Sequence, residues 1–234
     1  MANFCIIAGS SGIAQATTTL LKAAGHSVFT TARDTQKITP DAVLDASDFA
    51  AVDAVVEQAV AKLGGLDGIV NCAGSLLLKP AHLTSQEQYQ QVITASLTTA
   101  FATVRAAGKH LTNGGSVVLL SSAAAMEGLA NHEAIAAAKA GIIGLTLSAA
   151  ATYATSNIRF NAVAPGLTAT PLTASLTANE TSRKFSEGMH ALGRLGTPED
   201  VARAIVFLLD PLNNWITGQV LAVDGGLSRV RPKK

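Results

Sequence analysis

Phe4-Cys5-Ile6-Ile7-Ala8-Gly9-Ser10-Ser11-Gly12-Ile13-Ala14 begins as an apolar run, turns on two glycines and continues into a helical pattern. A short apolar run bounded by glycine reads as a strand covered on both faces. A glycine-rich turn at the start of a helix lets a backbone come close to a pyrophosphate, with free N–H groups and a partial positive charge facing it. The stretch therefore predicts the first strand–helix unit of a parallel sheet and, at its turn, a dinucleotide site carried by Gly9, Ser10, Ser11, Gly12 and Ile13. A merely tight turn is the alternative.

Working outward, the same rhythm repeats. Strands are expected at 3–8, 27–31, 42–45, 67–71, 116–121, 159–164 and 220–223, with helices filling the gaps. The fold class is α/β: a Rossmann-like, doubly wound parallel sheet flanked by helices on both faces. With 234 residues, 48% hydrophobic and 4% aromatic, one domain over 1–234 is expected. Thr- and Ser-rich residues 168–193 break the rhythm after a strand end and read as a substrate lid.

Composition narrows the function classes. The formal charge is +1, and the one basic cluster is the tail Arg229, Arg231, Lys233 and Lys234, which reads as a solvated terminus, so no nucleic acid is expected. No basic leader precedes the first strand, and the apolar region 134–151 is interrupted by Lys139; neither secretion nor membrane spanning is expected. Cys5 and Cys72 fall in or at the end of strands, which argues against a disulfide framework and for a reducing cytoplasm. The histidines, His26, His82, His110, His132 and His190, have no ligand partner at metal-binding spacing, so no metal is expected.

The first turn is followed along the chain by Asn71-Cys72-Ala73-Gly74, the strand-end serines Ser121-Ser122 and Lys139. The back half adds Asn161-Ala162-Val163-Ala164-Pro165-Gly166-Leu167-Thr168-Ala169-Thr170, the run from Gly193 to Ala202, and Gly218 to Gly226. Together these motifs resemble the short-chain dehydrogenase/reductase family over essentially the whole chain. The resemblance implies an NAD(P)-dependent oxidoreductase. It implies that Asp45 and Ala46 touch the adenine, that Asn71, Ala73 and Gly74 brace the sheet beside the cofactor ribose, and that Pro165, Gly166, Thr168 and Thr170 hold the nicotinamide amide. Where the family carries an acid for NAD, this chain has Ala32 followed by Arg33, which favours NADP(H); a solvated Arg33 paired with Asp34 is the alternative.

The catalytic set transfers incompletely. The family's Ser corresponds to Ser122, its Lys to Lys139, its Asn to Ser96 and its Tyr to Ile135. Ile135 has no proton to give, which excludes carbonyl reduction by the Tyr route. Helical steps of 100° put His132, Ile135, Ala136 and Lys139 on one face. Enoyl reductases of the same family place their tyrosine seven residues before the lysine, where this chain has His132. His132 is a substitute acid on that reading; on the other it only starts a helix capped by Asn131. Two functions stay open: an NADP(H)-dependent oxidoreductase of a small carbonyl, alcohol or enone, and a catalytically silent dinucleotide-binding sensor or partner protein. Small side chains around the helix after Asn131 leave room for a second backbone; an intramolecular helix contact is one reading, and the resemblance implies the other, a homodimer or homotetramer.

Overall fold

The computed structural model describes residues 1–232; Lys233 and Lys234 of the basic tail lie outside them. The chain runs β1 (Asn3–Ile7), α1 (Gly12–Ala23), β2 (Ser27–Ala32), β3 (Ala42–Val43), α2 (Phe49–Leu63), β4 (Gly68–Asn71) and α3 (Gln86–Ile93). It continues through α4 (Thr99–His110), β5 (Gly115–Leu120), α5 (Glu133–Tyr153), β6 (Ile158–Pro165), α6 (Glu180–Met189), α7 (Pro198–Leu209) and β7 (Val220–Val223). Seven strands form one sheet in the order β3-β2-β1-β4-β5-β6-β7, all pairs parallel. The order reverses at β1, so the crevice beyond the carboxyl ends of β1 and β4 is where such sheets bind ligands.

Period-two alternation sorts the core. Cys5, Ile7, Ile69, Val117, Leu119 and Phe160 point to the face covered by α2, α4 and α5. Their neighbours Phe4, Ile6, Val70, Val118, Leu120 and Val163 point to the face covered by α1 and α7. Burial on both faces explains why the strands read as unbroken apolar runs. Gly68 is required by the pairing itself, since a Cβ there would stand 2.6 Å from the Ser116 carbonyl oxygen.

Two expectations change. The third strand, read as 42–45, pairs only over Ala42–Val43, because Asp45 turns to accept the Ser47 amide at 3.0 Å and the chain leaves the edge. Asn131 does not cap the helix: it takes a left-handed conformation (φ 64°) and His132 is the N-cap of α5. Pro198 does open α7, with Thr197 and Asp200 forming a reciprocal cap. The long helix α5 is apolar enough over Glu133–Ser156 to match a membrane span in length and composition. Its inner face, with Ala138, Lys139, Ile142 and Thr146, is buried, and its neighbours include β5 and β6.

Candidate active site

At the end of β1, Ala8 sits in the left-handed region (φ 58°), where an L side chain costs about 1–2 kcal/mol. The Gly9 amide donates to the Thr31 carbonyl at 2.6 Å, and a Cβ on Gly9 would lie 3.1 Å from that oxygen. Ser11 caps α1 by accepting the Ala14 amide at 3.2 Å, leaving the positive end of the helix facing a cleft with no acid in its first turn. A Cβ on Gly12 would meet Thr170 at 3.4 Å and Pro171 at 3.5 Å, so the segment after β6 closes over this turn. These groups fit a dinucleotide pyrophosphate.

One cleft of about 2000 Å³ runs from this turn across the carboxyl ends of the strands. Its walls bring together Ser10, Ser11, Gly12, Ile13, Arg33, Asp45, Ala46, Ala73 and Gly74 with Ser122, His132, Ile135, Lys139, Pro165, Gly166, Thr168 and Thr170. Gly9, Asn71 and Ser96 stand behind the walls. Asn71 is a brace, its amide donating to Thr103 Oγ1 at 2.8 Å and its carbonyl oxygen accepting the Ala73 amide at 2.7 Å. Arg33 is exposed, and Asp34 pairs with Lys37 at 3.7 Å, so Arg33 is not spent on its neighbour. Ser47 hydrogen bonds hold the Asp45 carboxyl below the usual range, with Arg33 adding to the effect.

At the other end, Lys139 comes from the buried face of α5 and is only 7% exposed. Its Nζ donates to the Leu120 carbonyl at 2.8 Å, and a Cβ on Gly74 would lie 3.2 Å from it, a close approach. Burial pulls the Lys139 ammonium down to about 8. The Ser121 hydroxyl donates to the Lys139 carbonyl at 2.9 Å and anchors the helix to β5. Ser122 Oγ accepts the Ala124 amide at 3.2 Å, keeping its own proton for the cleft. Ile135, 4% exposed, packs with Val92, Ala134 and Ala138 and fills the place expected of a phenol. His132 lines the cleft, and its Nδ1 lies 2.7 Å from the Ala130 carbonyl, so Nδ1 carries the hydrogen.

Some of this the sequence does not announce. One π-helical turn over Thr94–Thr98 separates α3 from α4, and π turns concentrate at functional sites. It turns Ser96, 1% exposed, inward with its hydroxyl unpartnered, and that oxygen would lie 4.0 Å from a Cβ on Gly74. His190 is buried and lines the cleft, Nδ1 donating to the Ser186 carbonyl at 2.7 Å and Nε2 accepting the Leu167 amide at 3.2 Å. It ties α6 to the end of β6. Nothing in its spacing signals that role. Cys72 borders the cleft, but burial pushes its thiol up to about 12, which Ser11 and Lys139 offset only in part; it is not a nucleophile. Among the described residues no cluster of three metal-ligating side chains occurs.

A parallel sheet that reverses at a glycine turn, with Ser122 and Lys139 facing one cleft, defines a dinucleotide-dependent oxidoreductase site. The chain belongs to the short-chain dehydrogenase/reductase family of NAD(P)-dependent oxidoreductases: residues 7–228 match the family profile described as enoyl-(acyl carrier protein) reductase. It is 41% identical to the cis-4-hydroxycyclohexanecarboxylate dehydrogenase of Sinomonas cyclohexanicum, over 80% of this chain and 75% of that one. It is 36% identical to the 3-oxoacyl-[acyl-carrier-protein] reductase FabG of Thermotoga maritima, over 95% of this chain and 96% of that one. Among solved structures, ElxO with NADP bound superposes with a TM-score of 0.90 at 31% identity, covering 97% of this chain and 99% of ElxO.

Proposed function

We propose that the protein is an NADP(H)-dependent oxidoreductase acting on a small carbonyl, alcohol or enone by a route that does not use tyrosine. The observation that carries this reading is the single cleft joining the glycine turn to Ser122, His132 and Lys139, with Ile135 in the wall between them. When bound, the cofactor supplies or accepts a hydride. The chain does the rest. Ser122 donates a hydrogen bond to the substrate oxygen, the Lys139 ammonium stabilises negative charge developing there, and His132, once protonated from solvent, gives the proton. Residues 168–193, folded as the 3-10 turns of Pro171–Thr177 and as α6, close the cleft as a lid and exclude water. The small outer residues of α5, such as Gly144 with open space around it, support a homodimer or homotetramer.

Single-turnover oxidation of bound NADPH against a mixed panel of ketones and enones tests the reading. Turnover of any compound supports it. Binding of NADPH with no turnover on the whole panel selects the second reading, a silent dinucleotide binder, which the apolar packing of Ile135 favours.

The NADP(H) preference rests on Arg33, free of Asp34, and on Ala32 where an acid would repel a 2′-phosphate. ElxO, structurally similar over nearly its whole length, holds NADP. In calorimetric titration NADPH is expected to bind more tightly than NADH, and Arg33→Asp to lower NADPH affinity by about tenfold or more through loss of a charge-assisted contact. Equal affinities in the unmodified protein would sink the assignment.

Ile135→Tyr is expected to create or raise ketoreductase activity, because Ser122 and Lys139 already stand in the same cleft and a nearby cation lowers a phenol's pKa. Overpacking against Val92 and Ala138 costs about 1–3 kcal/mol, so the variant melts earlier. A folded, NADPH-binding variant with no gain on any ketone would mean that the cleft is shaped for other chemistry.

A further inference from the structure

Both ends of the lid converge on one short stretch of wall at the end of β6. At the near end the Thr173 hydroxyl donates to the Thr168 carbonyl at 2.5 Å. At the far end His190 Nε2 accepts the Leu167 amide at 3.2 Å. Leu167 and Thr168 line the cleft beside Pro165 and Gly166. Gly196 braces them, its amide donating to the Leu167 carbonyl at 3.0 Å and its carbonyl accepting the Ala169 amide at 2.9 Å. A ligand that presses on residues 165–168 therefore presses on the two peptide groups from which the lid hangs.

The far attachment is made by one side chain. No residue of α6 is buried, so the helix has no packed face to seat it; the residue that follows it, His190, is buried. Its place is fixed from outside the lid: the Leu192 amide donates to the Gly225 carbonyl at 3.0 Å, and Gly166 admits the ring, since a Cβ there would lie 2.8 Å from Nε2. The two ring nitrogens then engage different elements. Nδ1 donates to the Ser186 carbonyl in the last turn of α6 at 2.7 Å, while Nε2 takes the Leu167 amide of the wall. A carbonyl at one nitrogen and an N–H at the other admit a single form of the ring, neutral with its hydrogen on Nδ1. Asp224, whose charge acts on His190, does not compete for that hydrogen, because its carboxylate takes the amides of Gly226 and Ser228 and the Ser228 hydroxyl.

We infer that His190 is a positioning residue that couples the lid to the cofactor: a dinucleotide seated against residues 165–168 and α6 seated over the cleft stabilise each other through the two bonds of one neutral ring. The inference rests on the dinucleotide reading of the cleft and applies to an enzyme and to a silent binder alike. Linkage makes the effect reciprocal, so the factor by which the cofactor closes the lid is the factor by which the closed lid tightens the cofactor.

Trypsin reads the lid, because Arg183 and Lys184 lie on α6 with side chains 62% and 71% exposed, and calorimetric titration of NADP⁺ reads the cofactor. In the unmodified protein saturating NADP⁺ is expected to slow cleavage after these two residues by about two- to tenfold, the range of one neutral hydrogen bond. Two variants divide the ring's bonds. His190→Gln, whose amide oxygen reaches the Nε2 position, keeps the Leu167 bond: it is expected to bind NADP⁺ within about twofold of the unmodified protein, while α6 is cut faster and NADP⁺ no longer protects it. His190→Asn, whose amide N–H reaches the Nδ1 position, keeps the Ser186 bond: α6 is expected to keep its resistance without cofactor, with NADP⁺ affinity lowered by about two- to tenfold and the protection lost. NADP⁺ that binds the unmodified protein without protecting α6 overturns the inference and leaves the dinucleotide reading standing. Gln and Asn variants that shift both readouts alike also overturn it, since the ring would then act only by packing. If either variant fails to fold, the unmodified protein with and without NADP⁺ decides alone. Failure to bind NADP⁺ overturns both readings.

Discussion

Lys139→Met is expected to lose turnover and gain stability at neutral pH in the same molecule. The loss follows from position: removing a charge aimed at a developing oxyanion costs about 10²- to 10³-fold in rate. The gain follows from burial. Nζ has one hydrogen bond, to the Leu120 carbonyl, and no ion pair forms at it among the described residues, so the folded state carries a poorly compensated ammonium. Burial lowers its pKa from 10.5 to about 8 on folding. Below pH 8 both states are protonated and the desolvation penalty is present in full. Between about 8 and 10.5 the unfolded chain binds the proton while the folded one does not, so native stability rises with pH across that window. Thermal melts of both proteins from pH 7 upward read this directly. The Met variant should melt higher at pH 7, with its advantage shrinking through the window and gone above it. A Met variant less stable at pH 7 would mean that Lys139 is held by interactions stronger than the single carbonyl contact.

That pairing of lost activity with gained stability explains why the site was only partly legible in the sequence. Strands covered on both faces announce themselves, because Phe4-Cys5-Ile6-Ile7 and Val117-Val118-Leu119-Leu120 must be apolar at every position. The glycine turn is legible for a similar reason, since Gly9 and Gly74 stand where a Cβ would press on the Thr31 carbonyl oxygen or Lys139. The edge strand is shorter than the apolar run 42–45 predicts because an edge makes few demands on sequence, and the Asp45–Ser47 turn decides where pairing stops. Ser96 was found by its place in a motif, but not the π turn that leaves its hydroxyl unpartnered; a single added residue within continuous helix leaves no mark on apolar periodicity. The tail was legible in charge but not in contact: Arg231 reads as part of a solvated terminus, and the folded chain pairs it with Glu127 at 2.5 Å, a partner 104 residues away that no local pattern announces.

His132→Ala is expected to lower the single-turnover reductive rate by about 10²-fold or more while leaving NADPH affinity nearly unchanged. The structure sharpens the argument from helical spacing. His132 stands at the N-cap of α5 and shares the cleft with Ile135 and Lys139, and the Ala130 carbonyl fixes Nδ1 as the hydrogen-bearing nitrogen. Nε2 can then take a proton from solvent and pass it to a substrate oxygen, which the buried Ile135 beside it cannot. The competing role, starting the helix, is weakened by the absence of a side-chain cap bond from His132. If starting α5 were its whole contribution, the Ala variant would lose a little stability and keep its rate. If His132 is the donor, His132→Tyr should retain more rate than His132→Ala, since a phenol at the helix start can still give a proton. Melting temperature and rate are measured on one sample of each variant. A folded His132→Ala protein at full rate would take His132 out of the mechanism and leave the Lys139 ammonium as the nearest proton source in the cleft.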